Sequence, residues 1–379
     1  MRYRQPQARR SLHPRQGQYA SIYARNRRRK RRKVLAIIVI VALVLIGLGI
    51  FITQSHPATE NAAPADTEAN TTSEITVSFA GDCTLGTDEN FSYDTSFNAR
   101  YESENDPSYF MKNVKSIFDN DDLSVANMEG TLTTATTRAD KTYAFKGKDE
   151  YAQVLSQGGI EVVDMANNHS RDYGEESYTD TIEALDKEGI ASFGYDRINY
   201  QDLKGVKLAL IGVNALDTGE ASKDEMVSLI NEAKENQAQI IIVYFHWGIE
   251  RDTVPNSTQI SLGHAAVDAG ANLVIGSHPH VIQGYEKYKD TYIVYSLGNF
   301  CFGGNPNPSD KDCMIFQKTF TVTDGQVVND DKVNVIPCMI SSVSSSNNYQ
   351  PTPADGDDKD RIEAKIKESN AGISEATAS

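Results

Sequence analysis

The stretch IIIVYFHWG, residues 240–248, sets six apolar residues directly before a histidine. A run of that length, rich in β-branched residues and without polar alternation, is a strand buried on both faces. An imidazole at its end costs desolvation without serving a core, so His246 needs another reason to be there. Outward from this point the same pattern repeats. ITVSFA (75–80), LSVAN (123–127), IEVVDMA (160–166), VKLALIG (206–212), NLVIG (272–276) and TYIVYS (291–296) are apolar runs of strand length. Helical patterns lie between them. Phe110, Val114, Ile117 and Phe118 share a face of PSYFMKNVKSIF, as do Tyr178, Ile182 and Leu185 of ESYTDTIEALDKEG, and Met226, Leu229, Ile230 and Ala233 of KDEMVSLINEAKEN. The alternation predicts a layered α/β domain over residues 74–370 with its sheet covered on both faces. Toward the C-terminus, MIFQKTFTV, an Asp324-Gly325 turn and QVVNDDKVNVIP read as an antiparallel hairpin. DRIEAKIKES reads as a short helix, and 371–379 as a disordered tail.

The other end of the chain has a different character. Residues 1–33 hold 13 Lys and Arg and no acidic side chain, a basic cytoplasmic tail. VLAIIVIVALVLIGLGIFI (34–52) is 19 residues without a charge, which as a helix spans roughly 28 Å, close to the thickness of a bilayer core. A signal peptide is the competing reading, but the apolar run is too long and no small-residue cleavage site follows it directly. Basic residues stay inside, so the expectation is a single-pass cell-membrane protein whose N-terminus is cytoplasmic. Residues 53–73 read as a flexible stalk and the domain beyond as extracellular. Of 37 basic and 52 acidic side chains, 24 and 52 remain after the tail. So acidic a domain repels polyanions, which excludes nucleic acid as a partner and requires a local cation or metal wherever an anionic polymer is held. Cys83, Cys301, Cys313 and Cys338 fit no zinc spacing, and bridges and free buried thiols both stand open.

The candidate chemistry lies at strand ends. Asp82 follows the first run, Asn127 and Glu129 the second, and Asn167, Asn168 and His169 the third; His246 ends IIIVYF, and His278 and His280 follow NLVIGS. The carboxyl ends of strands in an α/β sheet open into one crevice, so five segments deliver these groups to one place. His278-Pro279-His280 is the strongest single signal, because imidazoles two residues apart point alike on an extended chain. His264 sits in a helical pattern and reads as packing. Carboxylate, amide and imidazole donors suit Mn²⁺, Zn²⁺ or Fe, one ion or two. Such ions activate water for hydrolysis, with His169 placed to protonate a leaving oxygen. No GxxxxGK phosphate loop and no GxSxG elbow is present.

AGDCTLG, NMEGTLT, ANNHSRDYG, YFHWGIE, GSHPHVIQG and YSLGNF follow one another over residues 80–300. This order resembles the bacterial CapA or PgsA capsule-synthesis family, which makes or exports poly-γ-glutamate, and the tail-anchor-domain topology is also similar to that family. The family in turn resembles the calcineurin-type metallophosphoesterases, a four-layered α/β sandwich. The resemblance implies metal ligands at Asp82, Asn168, His246, His278 and His280, to which the strand-end reading adds Glu129. It implies an acid at His169 oriented by Asp172; Asn127 and Asn299, at strand ends beside the pocket, are read as substrate contacts. Two positions depart from it: Thr84 stands where the first motif carries a His, and the stretch Asn127 to Glu129 replaces a bridging Asp. The leading expectation is a membrane-anchored capsule-polymer factor, working with a polymer synthase complex and carrying a metal pocket of hydrolase type. Alternatives are a cell-surface metal-dependent phosphoesterase acting on a phosphoester, and a noncatalytic scaffold that holds an anionic polymer through bound metal.

Overall fold

The computed structural model describes residues 71–378. The basic tail 1–33, the apolar run 34–52 and the stalk up to residue 70 lie outside the described residues. Among those described, no helix is long and apolar enough to cross a membrane.

The strands form two large sheets and one small one. In the first, β18 (Thr352–Pro353), β17 (Val333–Met339), β15 (Asp312–Thr323), β1 (Thr72–Thr84), β3 (Leu123–Met128), β6 (Val162–Asp164) and β7 (Ala191–Phe193) lie side by side. Off this path, β14 (Asn299–Phe302) pairs with the end of β1, and β16 (Gln326–Val328) with β15. The run β1-β3-β6-β7 is parallel. The second sheet orders β12 (Ile282–Tyr288), β13 (Thr291–Leu297), β11 (Leu273–Ser277), β10 (Ile240–His246), β9 (Val206–Asn214) and β8 (Asn199–Leu203). Its four inner strands are parallel and its two outer ones antiparallel to their neighbours. A small sheet of β2 (Thr87–Asp88), β5 (Phe145–Gly147) and β4 (Thr131–Leu132) completes the set.

Side-chain alternation along the strands builds the layers. In β10, Ile240, Ile242 and Tyr244 join a core shared with Val77, Phe79 and Val125 of the first sheet, so the two sheets face each other. Ile241, Val243 and Phe245 point the other way, onto the helices Lys223–Glu235 and Ser257–Ala269. On the outer face of the first sheet, Ala126 and Met128 pack with Phe110, Val154 and Leu185 from its covering helices. The result is helix, sheet, sheet, helix. Both faces of each sheet are covered, one by helices and the other by the opposite sheet, which is why the strands read as unbroken apolar runs.

Several local expectations are corrected. Thr72 and Ser73, assigned to the stalk, already belong to β1. PSYFMKNVKSIF forms two short helices, Ser108–Met111 and Lys115–Phe118; between them the Asn113 amide donates to Gln350 and Thr352, while Phe110, Val114 and Phe118 keep one buried face. Residues 371–378 of the expected tail continue the helix Gly356–Ala378, because Ile362, Ile366, Ser369 and Ile373 form one buried stripe. The hairpin is as read, with the Asp324-Gly325 turn joining β15 to β16. All four cysteines are free and buried. His264 stacks on Tyr288 and bonds Glu286 at 2.8 Å, a packing role.

Candidate metal centre

Where inner-face positions run past the apolar core, the alternation continues into polar residues. In β3 the series Leu123, Val125 is followed by Asn127, and in β10 the series Ile240, Ile242, Tyr244 is followed by His246. In β1 the register shifts between Phe79 and Asp82, a bulge that turns Asp82 to the same side as Phe79. Gly81 is needed at that bulge, since a Cβ there would lie 1.9 Å from the Gly298 carbonyl oxygen. The two sheets thus bring their strand ends together over the shared core.

Asp82 is fully buried. Its Oδ1 accepts from Asn127 Nδ2 at 2.8 Å and its Oδ2 lies 3.2 Å from His280 Nδ1. Glu129, also fully buried, has no hydrogen-bond partner for either carboxylate oxygen. Its Oε1 lies 3.5 Å from His246 Nε2 and 3.8 Å from His280 Nε2. The Ser277 hydroxyl, which donates to the Phe245 carbonyl, lies 2.9 Å from His246 Nδ1 and can accept its proton. That leaves the Nε2 lone pair of His246 toward Asn168 Oδ1, 2.9 Å away, and the Glu129 carboxylate. Electron-rich atoms converging on one point, two of them orphaned oxygens in a buried carboxylate, could hold a cation.

His278 and His280 reach the same place by an unexpected route. Their φ angles are +95° and +58°, so the turn after β11 is left-handed and not the extended chain that the i, i+2 spacing suggested. Non-glycine residues adopt this conformation only when their surroundings hold them there. Asn299 is one such constraint: its Oδ1 is 2.9 Å from His280 Nδ1 and its Nδ2 donates to the His280 carbonyl. Glu129, His278 and His280 form a cluster whose ligand atoms all lie within 4.8 Å of one another, and His278 Nδ1 is buried without a partner.

Burial sets the charge states. It pushes His246 down to about 3 and His278 to about 2, so both imidazoles are neutral and able to ligate. Glu129 rises to about 7 through burial and the nearby Asp82 charge. Burial opposes the charge of His280 as well, but Glu129 and Asp82 outweigh it and lift the imidazole to about 10. Burial likewise opposes the Asp82 charge, yet His280 and its other partners hold that carboxyl below its ordinary range.

Beside this cluster, His169 Nδ1 lies 2.7 Å from Asp172 Oδ2, the orienting contact expected of Asp172. Asp172 also accepts from the Phe145 amide and pairs with Lys141 Nζ at 2.9 Å. Lys141 donates further to the Asn168 carbonyl at 2.8 Å, tying the His169-Asp172 pair to the Asn168 segment. Nothing in periodicity or motif spacing marked Lys141, which lies on the loop leading into β5. Ser277 was also missed, although its place between NLVIG and His278 is a signal.

The six expected ligands and the His169-Asp172 pair are therefore together. Asn127 is corrected: it is fully buried, its Nδ2 holds Asp82 and its Oδ1 accepts from Asn167 at 3.0 Å, so it braces the ligands and has no atom left for a substrate. Asn299 lines the cavity beside His280, with its amide engaged on that residue. Thr84 is buried with its hydroxyl unpartnered.

Residues 76–304, more than half of the chain, match the family model described as Bacterial capsule synthesis protein PGA_cap. The chain belongs to this family. The capsule biosynthesis protein CapA of Bacillus anthracis is 35% identical over 187 residues, covering 44% of this chain and 46% of that protein. The PGA biosynthesis protein CapA of Bacillus subtilis is 35% identical over 211 residues, covering 50% and 55%. The matched stretch thus spans about half the length of these relatives. The crystal structure of a hypothetical protein from Thermus thermophilus aligns with a TM-score of 0.42 at 16% identity, over 69% of this chain and 98% of that one.

Proposed function

We propose that this chain is a membrane-anchored factor in the synthesis or export of a capsular polymer such as poly-γ-glutamate. Its outer domain would use a divalent metal, Mn²⁺, Zn²⁺ or Fe, in a pocket of metallophosphatase-like hydrolase type. The carrying observation is the buried Glu129 carboxylate with two orphaned oxygens, facing the neutral imidazoles of His246 and His278. The four-layer arrangement and the order of ligands along the chain support the metallophosphatase likeness. Asp82, Glu129, Asn168, His246, His278 and His280 would hold the metal. When bound, the metal would acidify a water and draw charge from a phosphoryl or acyl oxygen. Asp172, itself held by Lys141, keeps a proton on His169 Nδ1 and so directs Nε2 to exchange a proton with a leaving group.

The family supports the capsule reading, because its match over residues 76–304 spans these ligands and relatives named for capsule and PGA biosynthesis are similar to the chain. The anchor rests on the uncharged run 34–52 behind its basic tail. The test is metal analysis of the full chain purified in detergent, wild type against His278→Ala/His280→Ala, combined with the polymer yield of cells carrying each form. Bound metal and polymer should both be lost in the double variant; equal metal in the two would sink the reading. Phosphate released from a generic phosphodiester, with polymer yield unchanged, would instead support a cell-surface phosphoesterase, a reading that the His169-Asp172 pair favours.

A further inference from the structure

The metal cluster opens on one side into a cavity of about 140 Å³ whose floor includes His169, His280 and Asn299 and whose rim includes Tyr143, Glu250 and Arg251. Most cations nearby are already engaged. Lys141 is held by Asp172 and the Asn168 carbonyl, and Arg138 by Asp88 and three backbone carbonyls. The Arg251 side chain differs, since among the described residues it makes no hydrogen bond and no ion pair, not even with its neighbour Glu250. Its backbone is far from free. Arg251 takes φ +68°, a conformation glycine would adopt at less cost, and its amide donates to the Pro279 carbonyl at 2.8 Å. The turn that aims His278 and His280 therefore also fixes the base of this side chain.

A guanidinium is always charged and presents a planar fork of donors that matches a carboxylate or a phosphate in two parallel hydrogen bonds. Beyond residue 70, where 24 basic side chains face 49 acidic ones, an anionic substrate is repelled until a local cation holds it. We infer that Arg251 is the specificity residue of this cavity, gripping an oxyanion of the substrate, carboxylate or phosphate, beside His280. The exposed Tyr143 ring, stacked toward Phe145, walls the same opening and suits the apolar stem that carries such a group. The inference rests on the proposed function only in taking this cavity as the substrate site.

The full chain in detergent is titrated calorimetrically with two probes, inorganic phosphate and a short oligo-γ-glutamate, for wild type and the variants R251Q, R251K and R251G. Metal content and melting temperature are followed alongside. Loss of the charged fork should weaken binding by roughly ten- to a hundredfold in R251Q and R251G, with R251K between, while metal content stays at the wild-type level. R251G is at home at φ +68° and should melt no lower than wild type, so its loss of binding cannot come from unfolding. Whichever probe binds more tightly identifies the source of the oxyanion. Equal binding by R251Q and wild type, or no binding of either probe by wild type, overturns the inference. If wild type holds no metal yet R251Q still loses the oxyanion, the proposed function falls and this inference stands.

Discussion

The two sheets contribute unlike halves to one centre. Strands of the first end in oxygen donors, with Asp82 in β1, Glu129 after β3 and Asn168 after β6. Those of the second end in imidazoles, with His246 closing β10 and His278 and His280 after β11. Burial acts on the halves in opposite directions, raising Glu129 and lowering His246 and His278, and in both it suppresses charge. A dry site lined this way suits a cation, whose charge would offset the buried carboxylates. The contrast extends to support: His246 is braced at Nδ1 by the Ser277 hydroxyl, whereas the Glu129 carboxylate has no hydrogen bond.

That contrast predicts opposite stability effects from two changes that both remove metal. Glu129→Gln and His246→Ala should each lower metal affinity by roughly a hundredfold or more, since each deletes a ligand. In the metal-free protein at pH 8, Glu129→Gln should raise stability by about 1 kcal/mol or more, because it removes a buried charge without hydrogen bonds. His246→Ala should lower it by about 2–4 kcal/mol, because it leaves a cavity and removes the partner of the Ser277 hydroxyl. Denaturant melts of chelated samples, read beside metal titrations, decide this, and a matching loss of stability in both variants would break the comparison.

Asp164, at the inner end of β6, shows what the oxygen half does where no imidazole stands opposite. It is enclosed by Gly194 and Gly212, where a Cβ would meet its Oδ1 at 3.0 and 2.0 Å, and burial raises it to about 8. Its folded value exceeds its unfolded one, so the protonated form is favoured by folding. Stability is then full below about pH 4 as far as this group is concerned, and it falls by about 1 kcal/mol per pH unit up to pH 8. Asp164→Asn should flatten that slope in melting temperature measured from pH 5 to 8. An unchanged slope would mean the carboxyl is ionised in the folded protein.

Protons should also compete with the metal. Glu129 and His280, raised to about 7 and about 10, carry protons that ligation must expel. Apparent metal affinity should therefore rise with pH, by roughly a hundredfold per unit below pH 7 and roughly tenfold above it, as the count of displaced protons drops from two to one. Competition titrations against a chelator at pH 6, 7 and 8 read this directly.

How far the sequence shows this centre depends on what kind of fact each residue is. His246 was legible because a polar end on an apolar strand has no other purpose, and the parallel-sheet rule then placed Asp82, Asn168 and the imidazole pair beside it. The apolar runs gave the layers for the same reason. Asn127 was misread as a substrate contact because sequence cannot say whether a strand-end amide faces the pocket or braces its neighbours. Lys141 reaches His169 through a loop ordered by Asp88, Arg138 and the small sheet, a set of tertiary contacts with no period. The final helix was cut short at residue 369 because NAGISEATA is composed like a tail, although Ile373 keeps the helical spacing of Ile362 and Ile366.

The smallest expected effect tests the support of the imidazole half alone. Ser277 holds His246 through one hydrogen bond and is itself anchored to the Phe245 carbonyl, so Ser277→Ala keeps every ligand and removes only the group that fixes the His246 tautomer. Outer partners of this kind typically change metal affinity ten- to a hundredfold, and the low end applies here because the ring stays fully buried at the end of its strand. A loss of about tenfold, with metal stoichiometry and fold unchanged, would show that the second sheet positions its imidazoles through the strand and not through the metal. No loss would mean that the strand end alone sets the ring, and a loss as large as that of His246→Ala would mean that the bond to Ser277 is what makes this histidine a ligand.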